Sequence, residues 1–157
     1  MKMHKIIAIL SFFLLINCGY EPIYSKKNIE NIYNFSISSI GFSGENSVNQ
    51  NLKNNLINFI NIKSKPLKYD LVVYSNKIKT ITSKNKKGNP EIFNMKIVVI
   101  VDIYQNGEIK SKKKFGESFE YKNKSSKFEL KKYEQTIIQN ITSRLSKNII
   151  DHLYSIK

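Results

Sequence analysis

Cys18 is the only cysteine in the 157-residue chain, and it follows Lys2, His4 and Lys5 and an apolar run from Ile6 to Ile16. A charged head, a short hydrophobic stretch and then a cysteine make the pattern of a bacterial lipoprotein export signal. The expectation is that residues 1–17 are cleaved as a signal peptide and that Cys18 becomes a lipidated N-terminus carrying diacylglyceryl and acyl chains. Asn17 stands where such signals carry Gly, Ala or Ser, which predicts slower processing. A thiol consumed in this way forms no disulfide and no second cysteine exists, so the domain stands without one. The run is also shorter than the roughly 20 apolar residues that cross a bilayer as a helix, and no later stretch is long enough.

Other reactive groups are sparse. Of the two histidines, His4 lies in the leader and His152 near the end, so no His/Cys zinc cluster is expected, and no cofactor. Asp151, His152 and Ser155 are close in sequence, but adjacent helical residues point about 100° apart and do not face each other. His152 reads as an exposed histidine near a helix C-terminus, where positive charge is favoured. Gly41-Phe42-Ser43-Gly44 lacks the Lys-Ser/Thr of a phosphate loop, and no dinucleotide fingerprint appears. The expectation is a binding or structural role, not an enzyme.

The formal charge of +14 calls for a polyanion. An exported lipoprotein meets lipid phosphates and lipopolysaccharide, not nucleic acid. Part of the excess is compositional: Arg144 is the only arginine, and Lys, Ile and Asn are abundant together. The candidate contact is the loop Ser83 to Pro90, where Lys84, Lys86 and Lys87 crowd a tip between two strands and could meet lipid A phosphates as point charges. The plainer alternative is a solvated turn. Lys110, Lys112 and Lys114 form the next patch.

The elements that must position these groups follow from periodicity. After a polar tether, residues 18–32, the remaining chain, 33–157, suffices for one domain. Residues 33–40 alternate as a strand, broken at Gly41 and Gly44. Ser47 and Gln50 fit a capping box ahead of a helix whose stripe is Val48, Leu52, Leu56 and Ile60, ending near Ile62. A second strand runs from Tyr69 to about Ile81. Met95 to Tyr104 is the most apolar strand, and Val98 and Ile100 on its reverse face predict cover on both sides. Asn106-Gly107 signals a hairpin, followed by an edge strand over 108–121 whose lysines discourage stray pairing. Ser126 and Glu129 form a second capping box before a long helix with Leu130, Tyr133, Ile137, Ile141, Leu145, Ile149 and Leu153 in one stripe. The predicted fold is α+β, β-α-β-β-β-α: a two-layer sandwich with two helices on one face of a four-stranded, mostly antiparallel or mixed sheet. Its core lies between Ile97, Val99 and Val101 and the helix stripes.

Cys18-Gly19-Tyr20-Glu21-Pro22-Ile23-Tyr24 resembles the Cys-Gly-aromatic-x-Pro-Leu-Tyr opening of the lipopolysaccharide-assembly lipoproteins of the LptE family, and the element order with its long final helix is similar to that family's. The resemblance implies a lipoprotein on the periplasmic face of the outer membrane that sits inside the large β-barrel of the lipopolysaccharide transporter, assists its assembly and aids delivery of lipopolysaccharide to the surface. Gly19 after Cys18, rather than Asp, agrees with sorting to the outer membrane. The near absence of arginine departs from any arginine-based ligand contact. The alternative is an auxiliary lipoprotein of an envelope lipid-transport ABC system, with the same signal and the same kind of small α/β domain.

Overall fold

The computed structural model describes residues 32–62 and 65–156. Cys18 and the tether lie outside them. Strand β1 (Phe35–Gly44) leads into helix α1 (Asn46–Leu56) and a single 3₁₀ turn (Ile57–Phe59); then come β2 (Leu67–Lys84), β3 (Pro90–Gln105), β4 (Glu108–Lys122) and helix α2 (Lys127–Ser155). The sheet order is β1-β2-β3-β4. β1 pairs with β2 in parallel, and the other two pairings are antiparallel. The mixed α+β sandwich agrees with the order read from the sequence.

The parallel pairing explains the layering. Two parallel neighbours need a crossover connection, and α1 with its 3₁₀ turn supplies it. Strand β1 runs through Gly41 and ends at Gly44, later than expected. Gly41 adopts an ordinary strand backbone, so only Gly44, with φ of +92°, breaks the strand. Asn106 (φ 54°) and Gly107 (φ 83°) make the anticipated tight hairpin turn.

Along β3, and along β2 as far as Ile78, residues alternate between a core-facing and an outward-facing set. Tyr69, Leu71 and Val73 are buried with Ile97, Val99, Val101 and Ile103. The outward set is not covered. Val72 and Tyr74 are 49% and 50% exposed, and Val98 and Ile100 are half-buried. The expectation of cover on both sides of β3 therefore fails among the described residues, because both helices pack on the same face.

Helix α2 presents Ile137, Ile141, Leu145, Ile149 and Leu153 to the core, and α1 presents Val48, Leu52 and Leu56. The Ser126 hydroxyl accepts from the Glu129 amide at 3.4 Å, so the second N-cap stands. The first does not. Helix α1 begins one residue after Glu45, whose amide donates to Ser75 Oγ (3.0 Å) and to the Ser75 carbonyl (3.2 Å). Ser47 Oγ donates to the Glu45 carboxylate at 2.9 Å, and Gln50 reaches forward to Asn54 rather than back. A tertiary contact to β2 thus sets the start of α1, overriding the local capping pattern.

Two substitutions test this packing. Ile141→Ala should cost about 2–5 kcal/mol in chemical denaturation, as truncation of a fully buried Ile does, whereas Ile109→Ala, at a 59% exposed site, should stay within about 0.5 kcal/mol. Gly44→Ala should cost more than about 1 kcal/mol, because the backbone is left-handed there and a Cβ would collide with the Ser75 carbonyl oxygen. Equal stability of all three variants and the parent would contradict the packing.

Candidate anion-binding site

The turn between β2 and β3 is a built structure. Asn85 Oδ1 accepts from the amides of Lys87 and Asn89, each at 3.0 Å, and Gly88, with φ of +79°, donates to the Asn85 carbonyl at 2.9 Å. Lys84 ends β2, and Lys86 and Lys87 occupy the turn; all three are exposed. The antiparallel meander brings the end of β4 to the same pole. Asn123 clamps it there, its amide donating to the Glu91 carbonyl at 2.8 Å and its side chain to the Pro90 carbonyl at 2.9 Å.

This clamp assembles a basic pole that sequence reasoning identified only in part. Lys122 and Lys124 flank Asn123 and line two adjoining grooves. One, of 430 Å³, is completed by Ile92, Glu120, Tyr121 and Tyr133; the other, of 360 Å³, by Asn85, Asn89, Pro90, Glu91, Asn123 and Ser125. Lys84, Lys86 and Lys87 line neither groove and stand beside them. The pole thus carries five ammonium groups against the carboxylates of Glu91 and Glu120, and the N-terminus of α2 adds its partial positive charge. A signal for Lys122 and Lys124 was present: residues 122–126 repeat the lysine-and-turn composition of 84–88, and alternate connections of a meander share one end.

The groove walls are fixed by packing and polar contacts. Tyr121 donates to Glu134 Oε1 at 2.7 Å, and Lys79 Nζ meets the same oxygen at 2.6 Å while lying 4.0 Å above the Phe93 ring. Burial first, then the Glu134 carboxylate, pushes the Tyr121 phenol far above its ordinary value, so it remains a donor. Lys124 sits over the Tyr133 ring at 5.2 Å. The arrangement offers the lysine point charges to an anion, while the Tyr121 hydroxyl is committed to Glu134.

The opposite pole holds His152, and the expectation of an exposed side chain is corrected there. The ring is partly buried, packs edge-on to Phe115 with centroids 6.0 Å apart, and shares a 2.9 Å hydrogen bond between Nε2 and Ser111 Oγ. Ser155 Oγ instead donates to the His152 carbonyl at 2.7 Å. Ser111 and His152 are 41 residues apart, so no local spacing announces the pair. A hydroxyl beside an imidazole is the start of a nucleophile–base pair. Burial and then the Lys113 ammonium lower the His152 pKa, so the imidazole stays neutral to lower pH. The contact ties α2 to β4.

No helix among the described residues is long and apolar enough to cross a membrane. No family model and no curated protein matches the sequence. Solved structures do share the fold. Rare lipoprotein B from Shewanella oneidensis superposes with a TM-score of 0.58 at 14% identity, over 77% of this chain and 93% of that one. Lipoprotein B from Nitrosomonas europaea gives 0.56 at 12% identity, over 77% and 83%, and a minor lipoprotein from Acinetobacter baumannii 0.51 at 13%, over 75% and 88%. The chain therefore has the architecture of a class of small bacterial lipoproteins, and at these identities the likeness is one of fold.

His152 makes stability pH-dependent. Its folded pKa lies below the ordinary 6.5, so the unfolded chain binds a proton that the folded chain resists. Its contribution is complete above pH 6.5 and is lost as the pH falls below that value towards the lowered folded pKa. The melting temperature should decline as the pH falls below about 6.5, and the depressed carboxyl of Glu45, held down by Lys77 and Ser47, adds its own loss below 4.5. His152→Gln should flatten the first decline. An unchanged slope in that variant would contradict the assignment.

Proposed function

We propose that this chain is a lipoprotein subunit of the lipopolysaccharide transport and assembly machinery, of the LptE type: anchored through Cys18 at the periplasmic face of the outer membrane, seated in the large transporting β-barrel, and presenting its basic pole to lipopolysaccharide. The role is one of binding and assembly, without catalysis. The observation that carries this reading is the separation of the two poles. The described chain enters at Ile32, next to Phe35, which pairs with Leu67 at the start of β2, while the lysine-bearing tip follows Lys84 at its end. Over the 18 residues of β2, a rise of about 3.3 Å per residue places entry and tip roughly 55 Å apart. That exceeds the roughly 30 Å hydrocarbon thickness of a bilayer. A domain tethered at one leaflet and inserted in a barrel lumen can therefore carry its phosphate-facing lysines to the far side. The shared fold with solved bacterial lipoproteins supports the reading, as does the heptapeptide that begins at Cys18.

Three ammonium groups at the turn and two beside it should act mainly through charge. With each lysine near an anionic surface worth roughly 1 kcal/mol, replacing Lys84, Lys86, Lys87, Lys122 and Lys124 with Gln should weaken lipopolysaccharide binding by at least about tenfold. It should also flatten the dependence on ionic strength. Equal affinity of variant and parent at low salt would remove this pole from the account. Purification of the lipidated protein should bring down a large β-barrel. Recovery of ABC-transporter subunits in its place would favour the auxiliary-lipoprotein alternative.

Lipidation has its own test. Cys18→Ala should accumulate as an unprocessed form without acyl label, and Asn17→Gly should be processed faster than the parent. Normal maturation and labelling of Cys18→Ala would contradict the anchor.

A further inference from the structure

Phe128 is the most exposed large apolar side chain among the described residues, at 76%, where the next, Ile109, reaches 59%. The helix that carries it explains the exposure. The core stripe of α2 begins with Leu130 and Tyr133, which pack against the core; at about 100° per residue Phe128 lies roughly 200° from Leu130, on the side away from the sheet. A single exposed apolar residue needs no explanation of its own. The surroundings of this one do.

Helix α2 starts beside the β2–β3 turn. Lys124 and Ser125, just ahead of the Ser126 cap, line the groove that Asn85, Asn89 and Pro90 complete, so the first helical turn stands at the lysine-bearing pole. Lys127 precedes Phe128, and Lys131 and Lys132, at i+3 and i+4, share its face of the helix. All three lysines are exposed. Of the two carboxylates in the opening turns of α2, Glu134 is engaged by Lys79 and Tyr121, which leaves Glu129 against three ammonium groups. Ile81, on the overhang of the hairpin at the same pole, is 48% exposed as well. A dissolved phosphate would be held by the charges and would gain nothing from an aromatic ring among them. A surface where phosphates overlie hydrocarbon uses both, because lysine stems reach the headgroups while the ring lies at the acyl boundary.

We propose that Phe128 is the apolar anchor of a membrane-docking tip: the pole docks on the surface of an anionic lipid layer, with Lys127, Lys131 and Lys132 against the phosphates and the Phe128 ring at the boundary of the acyl chains. Charge brings the pole to the surface and the ring holds it there. This docking rests on the anion-facing role given to the pole above, and it adds that what the pole meets is a lipid layer rather than a free phosphate.

The chain contains no tryptophan, so Phe128→Trp supplies a single emitter at the tip. The full chain carrying it is held in a phosphatidylcholine nanodisc and mixed with vesicles. Vesicles containing phosphatidylglycerol should shift its emission to the blue, and the same lipid brominated in its acyl chains should quench it at least twofold. Phosphatidylcholine vesicles and inorganic polyphosphate should do neither. Ile109→Trp, exposed on β4 at the opposite pole, should respond to none of them. Replacing Lys127, Lys131 and Lys132 with Gln in the Phe128→Trp chain should weaken binding to the phosphatidylglycerol vesicles at least tenfold, and Phe128→Ala should reduce capture of the nanodiscs by sedimenting vesicles at least fivefold. The proposal is overturned if phosphatidylglycerol vesicles leave the Phe128→Trp emission unchanged, if polyphosphate shifts it equally, or if Ile109→Trp responds as strongly. The lipopolysaccharide reading fails separately, on the affinity of the five-lysine variant, which keeps Phe128, Lys127, Lys131 and Lys132.

Discussion

Everything in this molecule is arranged around one apolar layer, the face that β1, β2 and β3 share with the stripes of α1 and α2. Ile141, Leu145, Ile149 and Leu153 of α2 are fully buried, as are Ile97, Val99, Val101 and Ile103 of β3. Because both helices lie on the same side, β2 and β3 alternate along the core, and a slip of one residue would carry the buried set into water; β1 keeps its face only through a bulge between Ile37 and Ser39. The layer also limits how far the sheet is covered. At 1.5 Å per residue the 29 residues of α2 span roughly 43 Å, against roughly 55 Å for β2. The β2–β3 hairpin therefore overhangs its helix, with Ile81 exposed near the tip, and its lysine-bearing turn stands free of the core.

Charge is distributed to match. One end of the domain carries the lysines of the turn and of the β4–α2 connection together with the positive end of the α2 dipole. One edge carries the lysines of β4, and the other edge carries no charge. Net charge alone reports solubility and attraction to polyanions; its placement on the sheet sets a lysine-rich pole and a lysine-rich edge apart from an uncharged edge strand.

The one-sided layer is also why so much of the fold was legible in the sequence. Period-two alternation in Tyr69, Leu71 and Val73 and the helical stripe from Ile137 to Leu153 both come from burial on a single face, and both appear where expected. Asn106-Gly107 and the Ser126 cap are local chemistry and were readable for that reason. What escaped was non-local. The start of α1 is set by Ser75 on a neighbouring strand, and Ser111 meets His152 only after β4 docks on α2. Lys122 and Lys124 join the basic turn through a single clamp, Asn123 on Pro90 and Glu91. Reverse-face Val98 and Ile100 were read as covered because β-branched residues serve an open sheet face as well as a closed one.

The most direct test of the central claim, that the pole distant from the anchor meets lipopolysaccharide, is site-specific photocrosslinking in growing cells. A photoreactive residue at Lys86 or Lys124 should yield a lipopolysaccharide adduct, and one at Ser155, beside the opposite pole, should not. Adducts at Ser155 alone, or at none of the three positions in cells that are exporting lipopolysaccharide, would contradict the account.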